Sequence, residues 1–263
     1  MPDDVLYGFF GNQWMVFLLT AAVMLAVAEV GYRIGLRLYA AKDEGRKRQI
    51  GGIQAAVLGL LGLLLGFTFA MALQRYDMRR GLVIQEASAI GTTYRRASLL
   101  PAAHQAPVQD LLRQYVDARL KYWPLVDDPS MLAEGKRLIA GMQTELWKHA
   151  TEAANEAPND ITGLFISSLN ETIETDAKRM AATRAIIPAA VWLLVIVVAG
   201  FGCMTTSYGA GADGTRTKLA GVLLPLLITV VILLIFDIVH PQIGLIRIGQ
   251  QALVDLQQSM QPH

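Results

Sequence analysis

Glu86 precedes Thr92 and Thr93 by one to two helical turns, so a carboxylate and two hydroxyls can share one stretch of helix surface. A carboxylate beside hydroxyls can act as a general base. The same three side chains can instead form a buried polar network between helices, which requires every member to find a partner. Asp237 is a second candidate, because it lies near the end of a strongly apolar stretch. A carboxylate there can bind a cation, relay a proton, or pair with Arg247 or Arg184. Glu29 and Arg33 stand four apart inside another apolar stretch, where they can pair on one helix face. Other catalytic vocabulary is missing from the chain: there is no G-x-S-x-G elbow, no H-E-x-x-H and no cysteine–histidine neighbourhood. No catalytic residue is therefore assigned, and no enzyme activity is expected. The histidines at 104, 149, 240 and 263 are too scattered for a metal-ligand pair at helical spacing, and Cys203 is the single cysteine. That excludes an internal disulfide and a thiolate cluster, and neither a metal nor a cofactor is expected. Asp127 and Asp128 run straight into Pro129, a poor start for an EF-hand loop. Gly209-x-Gly211-x-x-Gly214 has the spacing of a dinucleotide fingerprint, but outside a strand–helix unit it reads as a flexible turn.

These residues sit on elements that belong in a bilayer. Of the 263 residues 53% are hydrophobic and only 17% charged, whereas soluble domains carry about a quarter charged residues. A formal net charge of +1 gives no argument for nucleic acid. Ile50–Leu73 contains no charged residue and is long enough for a hydrocarbon core of about 30 Å. No proline follows until Pro101, so the helix is expected to run through RYDMRRGLVIQEASAIGTTYRRASLL as one rod. Gly59, Gly62, Gly66 and Ala70 recur along it at spacings of three and four. Such a stripe lets helix backbones approach closely. It fits packing against a neighbouring helix of the same chain, and equally a ring of such helices from several subunits around a pore.

The remaining spans are expected at about Trp14–Leu36, Ile186–Met204 and Leu219–Val239, with Pro188 at the entrance of the third and Pro225 inside the fourth. The start is acidic where a cleavable signal would be basic, so the first span reads as a retained anchor. Between spans two and three, Gln109–Leu125 carries a stripe of Leu112, Tyr115, Val116, Leu120 and Trp123. A second helix is expected from Pro129 to about Ala154, with Leu132, Leu138, Met142, Leu146 and Trp147 apolar. A third starts at Asp160 and leads without an obvious break into span three, and the tail has one last amphipathic segment through Leu253, Leu256 and Met260.

The fold class is thus all-α: an integral membrane protein with four transmembrane helices and a helical domain inserted between spans two and three. The expected division is a tail over 1–13, a hairpin over 14–73, the extramembrane domain over 74–185, a second hairpin over 186–240 and a tail over 241–263. The lipid bilayer is the first partner. The cations of the short first loop, Arg37, Lys42, Arg46, Lys47 and Arg48, favour a central domain outside the cytoplasm.

Three ordered segments, RYDMRRGLVIQEASAIGTTYRRASLLP, LNETIETDAKRMAATRAIIPAAVW and DIVHPQIGLIRIGQQALVDLQ, resemble the bacterial bestrophin-like domain family of four-pass membrane proteins. The resemblance carries over Glu86, Gly91, Thr92, Tyr94 and Arg95 after span two, and Asn170, Glu171 and Arg184 before span three. At the tail it carries over Asp237, Pro241, Gly244, Arg247, Gln250 and Gln251. The second acidic residue that the family often has two positions after Asp237 is here Val239, which weakens a paired-carboxylate cation site. By resemblance to true bestrophins, span two of a pentamer would line the pore, with Phe67, Phe69 and Met71 narrowing it. Apolar constrictions of that kind gate by dewetting. The analogy places the central domain in the cytoplasm, opposite to the cation distribution. It implies a homo-oligomeric pore for small ions in the bacterial inner membrane. Two other readings stand beside it: a membrane-anchored scaffold or sensor acting through a partner protein, and a subunit of a stator-like ion-driven complex.

Overall fold

The computed structural model describes residues 13–37, 44–123, 129–184, 187–214, 219–239 and 246–261, without the side chains of 13, 44–47, 129, 184, 219 and 220. Asp127, Asp128, His240, Pro241, Gly244, His263 and the Arg184 side chain, all named above, lie outside the described part. The described residues form eight α-helices: α1 (Gln13–Arg37), α2 (Glu44–Ala97), α3 (Ala102–Tyr122), α4 (Pro129–Glu156), α5 (Asp160–Arg184), α6 (Ala189–Ala212), α7 (Leu224–Val239) and α8 (Gln251–Ser259). Four of them, α1, α2, α6 and α7 with the turn before it, are long and apolar enough to cross a membrane. The spans are therefore the first, second, sixth and seventh elements, and the insert between spans two and three is helical.

The uninterrupted rod expected after span two is present, and α2 runs for 54 residues. Prolines set two of the other boundaries. Pro101 and Pro188 are the caps before α3 and α6, at φ −51°, ψ 143° and φ −55°, ψ 140°. This extended geometry is natural to proline, and the missing N–H costs nothing at a helix start. Two expectations are corrected here. The helix from Asp160 does not lead unbroken into span three: Pro188 separates α5 from α6. And α3 begins at Ala102, with Pro107 in its second turn, rather than at Gln109. Before Pro225 the backbone widens into a π-helical turn over Leu219–Leu223, a local adjustment that accommodates a proline inside a span.

The chain divides into two compact units. The first comprises residues 1–75 and 186–246 and holds the four spans. Its core is built from Met24, Ala28, Leu61, Val195, Val198, Ala199, Cys203, Ile228 and Ile232. Large apolar side chains such as Trp14, Leu18, Leu193 and Phe201 point outward, as lipid-facing positions do. On α1 the buried stripe is Ala21, Met24, Ala28, Gly31 and Gly35. A Cβ at Gly31 would lie 2.4 Å from the Met204 carbonyl oxygen, and one at Gly35 would lie 2.2 Å from that of Tyr208. From the other side, a Cβ at Gly211 would meet the Tyr32 carbonyl at 2.3 Å. Spans one and three are thus in backbone contact through glycine. The Gly209–Gly214 segment also differs from expectation: Gly209 and Gly211 belong to the last turns of α6, and Gly214 alone among the described residues takes a left-handed φ, of 67°.

The second unit comprises residues 76–185 and 247–263. Its core brings Val83 and Ile90 of α2 together with Leu112, Tyr115 and Val116 of α3, Ile139 and Leu146 of α4, Phe165 and Leu169 of α5, and Leu253 of α8. On α4 the buried face passes through Gly135, Ile139, Leu146, Ala150 and Ala153, while Leu138 and Trp147, expected inside, are exposed. Leu253 and Met260 of the tail are buried, as their spacing implies.

Candidate functional site

Span two presents two distinct faces within the first unit. Gln54, Leu58, Leu61, Leu65, Thr68 and Ala72 recur at spacings of three and four and are buried or half-buried. With about 100° between successive residues, Gly59, Gly62 and Gly66 fall on a different face, about 80–140° round the helix from the centre of that row. Among the described residues, a Cβ added at any of the three would meet nothing within 4 Å. Only 17% of this span's apolar window is buried within the chain, against 28%, 28% and 44% for the other three. The described part of the chain therefore makes no use of the glycine stripe of span two, and the close glycine contact joins spans one and three instead. Phe67, Phe69 and Met71 are all exposed. Two residues apart, Phe67 and Phe69 differ by about 200° around the helix, so they flank the stripe on its two sides.

The second unit holds a buried charge cluster. Glu86 is completely buried on α2, and Arg119 of α3 and Arg179 of α5 reach it with 4% and 2% of their surface exposed. Arg179 Nη1 donates to Glu86 Oε2, and Arg119 Nε lies 2.6 Å from Glu86 Oε1. Arg119 Nη1 lies 2.7 Å from Asp176 Oδ1. The two Arg119 pairs are close in distance but off the N–H direction, so they are charge contacts rather than aligned hydrogen bonds. Arg179 Nη2 donates to Gln250 Oε1 at 2.6 Å, which ties the approach to α8 into the cluster. Gln143 of α4 donates to Asp176 Oδ2 at 2.9 Å and to the Tyr115 hydroxyl at 3.3 Å. Two carboxylates and two guanidinium groups make the cluster neutral overall, the condition under which buried charge is tolerable.

Burial lowers the affinity of the Arg119 guanidinium for its proton, but Glu86 and Asp176 outweigh that and hold its pKa above the ordinary value. Arg179 goes the other way: burial, aided by the nearby Arg119 charge, pulls it below the ordinary value despite Glu86. Burial, then the Asp176 carboxylate, pushes the Tyr115 phenol up. A cleft of about 80 Å³ borders the cluster, lined by Arg119, Trp123, Gly135, Lys136, Gln143 and Asp176 among others. Tyr122 fills the space beside Gly135 so closely that a Cβ there would lie 2.8 Å from its ring.

The polar residues that the sequence suggests distribute unevenly. Glu86 is the centre of the cluster, but its partners are arginines on other helices rather than Thr92 and Thr93. Thr92 is half-buried. Thr93 bonds the Ala89 carbonyl at 2.9 Å and the Thr172 hydroxyl at 3.0 Å. Arg95, Asn170, Glu171 and Arg247 are exposed. Asp237 is buried at 4% exposure and accepts a hydrogen bond from the Ile246 N–H at 2.9 Å, pinning the chain nine residues on. Glu29 and Arg33 form the expected pair at 2.8 Å. Arg119, Asp176 and Arg179 are additions that the structure makes to the site, although Arg119 falls on the apolar stripe of α3, three residues from Val116 and four from Tyr115. The histidines are not all scattered: the fold brings His104 and His149 together, with Nδ1 to Nδ1 at 3.0 Å.

The combination of four spans and a helical insert has a counterpart among known proteins. A family model, the bestrophin-like domain, matches residues 14–253. The chain belongs to the bestrophin-like domain family and is a multi-pass membrane protein. Its fold is similar to a solved crystal structure that is described as that of a membrane protein. The TM-score is 0.68 and the identity 15%, over 93% of this chain and 97% of that one. No curated protein matches the chain.

Proposed function

We propose that the protein is a homo-oligomeric pore that passes small ions across the bacterial inner membrane, with span two lining the pathway. The observation that carries this reading is the uncovered face of α2, where Gly59, Gly62 and Gly66 meet nothing of the described chain. In a bilayer, small residues in a row favour close helix contact, and a second copy of the chain supplies it in this reading. Five-fold symmetry is what the family resemblance implies. Phe67 and Met71, about 40° apart around the helix, supply bulky apolar side chains for a constriction that dewets, and Phe69 stands on the other side of the stripe. The buried cluster around Glu86 has a structural part in this reading: it fixes the second half of α2 against α3 and α5, and α2 is continuous with span two.

The test is current across a lipid bilayer holding the purified protein under a potassium chloride gradient. Unitary currents that change in size with Phe67→Ala are expected, and the reversal potential gives the sign of the permeant ion. Silence from protein shown to be folded and oligomeric would transfer the assignment to a partner-dependent scaffold or ion-driven complex.

A further inference from the structure

His104, in the first turn of α3, and His149, near the end of α4, are 45 positions apart in sequence, yet their rings meet edge to face with centroids 5.3 Å apart. Glu152 stands three residues after His149 on the same helix, and one donor atom from each of the three residues lies within 4.8 Å of the others. The other nitrogen of His104, Nε2, lies 3.4 Å from a Glu156 carboxylate oxygen. From these four side chains the geometry points to a binding site for one divalent transition-metal ion, zinc by its ligand chemistry, held by His104 Nδ1, His149 Nδ1 and a Glu152 oxygen.

A proton on His104 Nε2 directed at Glu156 leaves Nδ1 with its lone pair facing His149. This carboxylate–imidazole arrangement is the one that orients histidine ligands in metal sites and raises their basicity. Two imidazole nitrogens on a tetrahedral zinc, each at about 2.0–2.1 Å, stand about 3.3 Å apart. The Nδ1–Nδ1 separation of 3.0 Å therefore needs to open by only about 0.3 Å. His104 is 8% exposed and the neighbouring Ala150 and Ala153 are buried, whereas Glu152 and Glu156 face solvent. The site thus has a dry floor and an open side through which a hydrated ion enters and a water completes the coordination. Bound metal would join α3 to α4, and a ligand that binds only the folded state stabilises it. This holds whether or not the protein conducts.

The test uses full-length, tag-free protein in detergent, stripped with a chelator and titrated with zinc chloride against a chromophoric competitor. One zinc per chain is expected, with a higher unfolding temperature. His104→Ala and His149→Ala should abolish it, and Glu156→Gln should weaken binding about 10- to 100-fold, as loss of an orienting carboxylate does. Should the histidine variants not fold, the exposed Glu152→Gln decides, read both by affinity and by a changed visible spectrum of the cobalt-substituted protein. Folded wild type that takes up no zinc overturns the proposal. So does zinc that all four variants retain with unchanged affinity.

Discussion

The Arg179 guanidinium lies over the Trp123 ring, its central carbon 3.6 Å from the ring centroid, while its two Nη atoms hold Glu86 and Gln250. Face and edge are thus used by different partners, which only a planar cation can serve at once. Arg179→Lys keeps the charge but loses the stacking and one of the two edge contacts. A cost of about 1–3 kcal/mol to the second unit is expected. Amide hydrogen exchange in Gln251–Ser259 checks it, because Gln250 immediately precedes that helix: exchange there should quicken. Unchanged protection would mean that Gln250 does not depend on Arg179.

Glu86 is the carboxylate that both buried arginines share. Removing it leaves two buried cations with Asp176 as their remaining carboxylate, so Glu86→Ala is expected to cost about 3–5 kcal/mol, the usual penalty for breaking a buried pair from one side. Removing opposite charges together, as in Glu86→Leu with Arg179→Met, should recover part of that loss, since the desolvation of both groups disappears. Denaturant unfolding in detergent, followed by helicity, measures the three proteins. A double variant no better than the single one would show that the cluster does not act as a charge-compensated unit.

The sequence makes some of this visible and hides the rest for identifiable reasons. The 54-residue helix is legible because no proline interrupts it from Glu44 to Ala97. The start of span three is not legible, because a proline at a span entrance has the same sequence signature whether it kinks one helix or, as Pro188 does, begins a new one. Arg119 carries a readable signal, a cation at the register of Leu112, Tyr115 and Val116, but its partner is 33 residues upstream and no spacing rule names it. The His104–His149 contact is likewise invisible, because it joins two helices and follows from their packing alone. Gly31-x-x-x-Gly35 has the spacing of a close-contact motif, yet nothing in its spacing ranks it above the longer glycine series of span two.

In the proposed reading, that pair of glycine series separates packing within the chain from packing between copies. At Gly35 a new methyl group would lie 2.2 Å from a backbone carbonyl of α6, which cannot turn aside as a side chain can. Gly35→Ala is therefore expected to force spans one and three apart at about 1–3 kcal/mol, the range for overpacking. At Gly62 nothing of the described chain stands within 4 Å. Gly62→Leu should leave the melting of the isolated chain unchanged while reducing its assembly, read by cross-linking and by light scattering with detergent subtracted. If Gly62→Leu leaves assembly size and stability as they were, the stripe is no interface and the proposed pore geometry fails.

Phe67 and Phe69 test the same geometry more finely. They leave the helix about 200° apart, so a single ring of span-two helices cannot direct both at its axis. With the glycine stripe as the line of closest approach between neighbours, one phenylalanine faces the axis and the other faces an adjoining subunit or lipid. Phe67 is 61% exposed and Phe69 37%, which makes Phe67 the side chain with less of its own chain around it. Phe67→Ala is expected to alter unitary conductance with assembly unchanged. Phe69→Ala should leave conductance per pore unchanged and act, if at all, on the number of assembled complexes. Single-channel recording paired with native mass spectrometry separates the two effects. Equal changes in unitary conductance from both substitutions would mean that the glycine stripe is not the line of closest approach between neighbours, and the helix would have to be rotated in the assembly.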